Sequence, residues 1–71
     1  MKQLNLYKHE NCTDAAIMLL KRPIFIPEKR GYKLRVKWFN VVNPNNIFDM
    51  GLEPETVFIK SEDYRKWRLI L

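Results

Sequence analysis

The stretch Gly31-Tyr32-Lys33-Leu34-Arg35-Val36-Lys37-Trp38-Phe39 decides the fold class. Tyr32, Leu34, Val36 and Trp38 alternate with Lys33, Arg35 and Lys37. A period of two is the pattern of a strand with one face buried, so the segment predicts a strand with its apolar set turned to a core. The cations then stand outward about 6.6 Å apart, two strand rises from one to the next.

Upstream, Pro23-Ile24-Phe25-Ile26-Pro27 reads as extended, because a residue that precedes proline is pushed out of the helical region. Glu28-Lys29-Arg30-Gly31 follows as a hairpin turn in which Gly31 can supply a positive φ. Residues 14–22 admit two readings. Thr13 or Asp14 can cap a short helix that ends in Lys21 and Arg22 before Pro23. Alternatively, Ile17 to Leu20 is a strand that bends at Arg22-Pro23 and runs on through Ile24 and Ile26. The bent strand is preferred here, because the hairpin that follows needs a partner with a buried face. Leu4-Asn5-Leu6 alternates weakly and is a candidate first strand.

Downstream, Asn43-Pro44-Asn45-Asn46 is dense in turn formers, and Asp49, Gly51, Glu53, Pro54 and Glu55 extend the irregular stretch to about residue 55. So long a connection in so short a chain points to function or weak order. Thr56 to Lys60 is expected to be a strand with Val57 and Ile59 on one face. Ser61 is placed to cap a single helical turn with Glu62 and Asp63 in its first turn, followed by a last strand from Arg68 to Leu71.

This order of strand, hairpin, long loop, strand, helical turn and short strand is similar to small barrels of the Src-homology-3 type, over roughly residues 15–71. The resemblance implies a mostly β fold, with α+β as the alternative if residues 14–22 are helical. It implies a small, partly open five-stranded barrel with one helical turn before the last strand. It carries over no ligand-binding residue, because the acidic and aromatic pattern of a peptide groove is not identifiable in this chain.

Seventy-one residues at 46% hydrophobic suffice for one core, so residues 1–71 are read as one domain. With 30% charged and 13% aromatic residues the balance is that of a globular chain. One cysteine, Cys12, makes no intramolecular disulfide, and a reducing cytoplasm is the expected compartment. The longest apolar run, Ala15 to Leu20, is far short of the roughly 20 residues of a membrane span. No membrane association is expected. A core of this size supplies about 3–5 kcal/mol, which makes packing quality or self-association, including a homodimer, important to the fold.

The net charge of +5 is local. Residues 21–40 hold seven cations against Glu28, whereas residues 41–60 hold Asp49, Glu53 and Glu55 against Lys60. Lys29, Arg30, Lys33, Arg35 and Lys37 therefore form a candidate face for nucleic acid or an acidic partner. Phe39, and Phe25 across the hairpin, are candidate rings for stacking bases. The same cations also serve a strand simply by keeping it from aggregating. Ile47, Phe48, Met50 and Leu52 form a candidate interaction loop, an apolar patch of the kind that marks an interface, or else they close one end of the barrel. Because loop and basic strand oppose each other in sign, a two-fold dimer pairing the two surfaces is a further arrangement.

His9 and Cys12 are three residues apart and are the only reactive pair, but structural zinc takes four ligands and catalytic zinc three. Nothing in the spacing of the carboxylates brings two together, and two glycines make no phosphate loop. The sequence thus points to a non-enzymatic binding protein with no metal, cofactor or small-molecule substrate. A protein partner or self-association is the leading reading and nucleic acid the alternative. Trp38 and Trp67 are read as core anchors.

Overall fold

The computed structural model describes residues 1–43 and 45–70. Seven strands and one helical turn follow in order: β1 (Leu6–His9), β2 (Ala15–Leu19), β3 (Ile24–Ile26), β4 (Gly31–Asn43), β5 (Asn46–Asp49), β6 (Glu55–Lys60), α1 (Ser61–Tyr64) and β7 (Trp67–Leu69). They form one antiparallel sheet curled into an open half-barrel. The fold is mostly β, as the alternation over 32–38 predicts.

The thirteen residues of β4 are the spine. On one edge β4 pairs with β3 and then β2, and on the other with β6 and then β5. Each edge is thus one bent strand. Leu19 faces Val36 and Ile24 faces Lys33, so two residues are looped out at the bend that Pro23 interrupts. This settles residues 14–22 as a strand that bends, not a helix. On the other edge Asp49 faces Phe39 and Glu55 faces Val36, which loops out three residues. β1 joins β2, and β7 joins β1, so the seven strands fill five positions across the sheet.

Several local expectations are corrected. The stretch from residue 43 to 55 is not one long irregular loop: β4 runs on to Asn43 and β5 pairs back on it, so that among the described residues Asn45 lies in the turn between them and residues 50–54 form the irregular connection to β6. The left-handed conformation of the turn after β3 belongs to Arg30, with φ 51°, behind a 3-10 turn over Pro27–Lys29. Lys60, not Ser61, precedes α1, and no side chain caps it. Leu4 has φ 67° and stands outside β1. Pro44 of the Asn43–Asn46 turn and Leu71 of the expected last strand lie outside the described residues.

Two apolar clusters hold the sheet. The larger lies on the inner face of β4, where Leu34 and Val36 are completely buried with Ile17 and Leu19 of β2 and with Tyr7 and Ile59. Full burial contributes about 1.5–3 kcal/mol for each such side chain. Tyr32, Trp38, Val57, Tyr64 and Trp67 pack half-buried around it. The two tryptophans therefore pack on the core, as expected. The smaller cluster, Leu6, Ala16 and Val41, lies on the outer face at the far end of β4, with Met18, Phe39, Ile47 and Ile70 against it.

Candidate functional site

The outer face of β4 presents the cations that the alternation predicts. Lys33 and Arg35 are exposed and alternate with the buried Leu34 and Val36. Directly opposite Lys33 stand Ile24 on β3 and Phe58 on β6, both exposed. Arg35 lies opposite Thr56 and donates a hydrogen bond from Nη1 to its Oγ1 at 3.2 Å. The bend between β2 and β3 brings Lys21 and Arg22 to the same place, where they border a groove of about 350 Å³ with Ile24, Lys33, Arg35 and Thr56.

Phe58 sits between that groove and a second group of cations. Its ring lies against Gly31, where a Cβ would come within 2.5 Å of Cζ. Lys29 Nζ stands 5.9 Å from its centroid, within range of a cation–π attraction. Lys29, Arg30, Lys60 and Arg65 line a further recess with Ser61 and Glu62. The structure thus brings Lys29, Arg30, Lys33 and Arg35 to one region and adds Lys21, Arg22, Lys60 and Phe58, which the sequence reading did not select. The signal for Phe58 was available: with Val57 and Ile59 turned inward, the residue between them must face out.

Lys37 and Phe39 do not join this region. Lys37 Nζ is 2.8 Å from Asp49 Oδ2, and that contact, with the Gly51 N–H also donating to the carboxylate, holds the Asp49 carboxyl below its ordinary range. Phe39 is covered by the smaller cluster, with Ile70 from the end of the chain beside it, so it is not a free stacking ring. Phe25 is exposed, but it lies opposite Tyr32 on the inner face, its ring centroid 5.1 Å from that of Tyr32. It is on the wrong side of the sheet to share a ligand with Lys33.

The candidate interaction loop divides in the same way. Ile47 turns into the smaller cluster, while Phe48, Met50 and Leu52 are exposed. Met50 and Leu52 meet Trp38 and Ala15 in an apolar groove of about 370 Å³ whose rim carries Glu53 and Glu55. Trp38 Nε1 donates to Glu55 Oε1 at 2.8 Å, which fixes both side chains. Phe48 lies opposite Asn40, on the same face of β4 as Trp38.

His9 and Cys12 are directed to different carboxylates. His9 Nδ1 accepts the Asn11 N–H, so Nε2 carries the proton and donates to Asp63 Oδ1 at 2.8 Å. The imidazole also meets Trp67 edge-on at 5.4 Å, tying β1 to α1 and β7. The Cys12 thiol points to Asp14, 3.6 Å away. Among the described residues no group of three or more His, Cys, Asp or Glu converges on a common point. No described helix is long and apolar enough to cross a membrane.

Comparison with protein-family models, with curated proteins and with solved structures finds no match to this chain.

Proposed function

We infer that the chain is a non-enzymatic binding protein whose outer sheet face takes single-stranded nucleic acid. The observation that carries this reading is Phe58, an exposed ring 42% accessible on the outer sheet face, with Lys33 directly opposite it and Lys29 Nζ 5.9 Å from its centroid. Phosphates attracted to Lys33, Arg35, Lys21 and Arg22 on one side and to Lys29, Lys60 and Arg65 on the other would leave a base over the ring between them. Stacking of one base is worth about 1–3 kcal/mol, more than an isolated surface cation contributes. The pairing of β1 with both β2 and β7, and the helical turn ahead of β7, support an arrangement of the Src-homology-3 type.

The test is titration of a short single-stranded oligonucleotide and of its duplex across a salt series. With four phosphate contacts, log K should fall against log salt with a slope of about −3, at roughly 0.7 per contact for single strands. Phe58→Ala should weaken single-strand binding by about tenfold or more and leave the salt slope unchanged. Equal affinity for the duplex, or a Phe58→Ala variant that binds like the parent, would discard the stacking arrangement. No binding at low salt would discard nucleic acid altogether.

A further inference from the structure

The acid-rimmed groove at Trp38 and the basic face at Lys33 lie on opposite faces of β4, because these residues have opposite parity along one strand. A contact about a two-fold axis satisfies both surfaces only when they sit side by side on one face of the molecule. The two-fold dimer that the charge pattern suggests is therefore not the arrangement this fold permits. A two-fold contact through the groove alone would set Glu53 and Glu55 against their own copies.

We propose instead that copies of this chain associate head to tail, the groove of one molecule seating the basic face of the next. The two surfaces are opposite in charge, and each carries exposed apolar side chains. The groove has an apolar floor, Trp38, Met50 and Leu52, under the carboxylates of Glu53 and Glu55. The basic face carries exposed Ile24 and Phe58 on either side of Lys33, with Arg35 next along the strand. The contact covers Ile24, Met50, Leu52 and Phe58, four of the nine large hydrophobic side chains exposed among the described residues. It also places acids from the segment with net negative charge against cations from the segment that holds the whole positive excess. Such complementarity steers encounter and fixes orientation. A head-to-tail contact does not close on itself at two copies, so association continues beyond the dimer. Since the contact occupies the outer face, polyanions compete with it, and bound nucleic acid and self-association exclude each other.

Sedimentation velocity over a concentration series, with no nucleic acid present, tests this independently of the binding reading. At about 0.01 M salt, where screening reaches about 30 Å, the mean mass should rise past that of a dimer. At about 0.1 M, where it reaches about 10 Å, the association constant should fall about tenfold. Two variants at exposed positions separate the surfaces: Leu52→Lys with Glu53→Lys removes the groove, and Lys33→Thr with Arg35→Thr removes the face without making it acidic. Each alone should be monomeric with an unchanged circular dichroism spectrum. Mixed in equal amounts they should form a heterodimer and nothing larger, because one intact groove and one intact face remain. A parent chain that stays monomeric at every concentration in low salt overturns the proposal. So does a parent that stops at a closed dimer, a single-surface variant that still associates, or a mixture that fails to pair.

Discussion

A Cβ at Gly31 would stand 2.6 Å from the carbonyl oxygen of Ile59 as well as 2.5 Å from the Phe58 ring. The ring can swing away, but the carbonyl belongs to the β4–β6 ladder and cannot yield without breaking pairing at the Gly31–Lys60 end. Glycine is therefore required here by space and not by a positive φ, which the neighbouring Arg30 adopts instead. Gly31→Ala is expected to cost about 1–3 kcal/mol, the range for forcing atoms into a packed site, measured as a lower urea midpoint. It should also displace the Phe58 ring, visible as a changed chemical shift of its protons. Gly51 is the opposite case, with φ 70° and open space around it, so its requirement is conformational. The sequence distinguishes neither glycine from the other, because the atoms that crowd Gly31 come from a strand nearly thirty positions away.

At the level of elements, β4 and β5 show where the pattern in the chain is readable and where it stops. From Tyr32 to Trp38 one face of the strand meets the main core and the other meets water, so apolar and basic residues alternate cleanly. Beyond Trp38 the outer face turns into the smaller cluster, so Phe39 and Val41 are apolar while facing the same side as the cations. The parity stays right and the assumption that outward means wet fails, because Leu6, Ala16 and Ile70 arrive there from distant parts of the chain. β5, only four residues long and preceded by turn formers, carries no strand signal of its own and exists by pairing with the tail of β4. Its two apolar residues should consequently behave in opposite ways. Phe48→Asp, at a site 55% exposed, should change stability by no more than about 0.5 kcal/mol. Ile47→Ala, half-buried in the smaller cluster, should cost about 1–2 kcal/mol, below the 2–5 kcal/mol of a fully buried site. Urea denaturation of the two variants checks the contrast, and a Phe48→Asp variant that unfolds would move Phe48 into the core.

For the molecule as a whole, the charges divide by whether the fold has paired them. Lys37 meets Asp49 and Arg68 meets Glu10, whereas Lys21, Arg22, Lys29, Lys33 and Lys60 have no ion-pair partner among the described residues. These unpaired cations crowd one face, and their mutual repulsion destabilises the compact state more strongly the lower the salt. A face kept for a polyanion should therefore be a liability to the empty protein. Lys33 is the most informative position, because it stands between Arg35 on its own strand, the cations of the bend and those beyond Phe58. Lys33→Glu replaces a repelled charge by one attracted to each of these groups. At a protein concentration low enough to keep the parent monomeric, it should raise the melting temperature at low salt, by a few degrees if the gain is about 0.5 kcal/mol, and the rise should shrink as salt is added. The same substitution should weaken oligonucleotide binding, since the lost phosphate contact becomes a repulsion. Calorimetric melting of parent and variant at two salt concentrations, beside the binding titration, decides it. A variant that melts lower than its parent in low salt would mean that Lys33 serves the fold, and the basic face would lose its claim to be held open for a ligand.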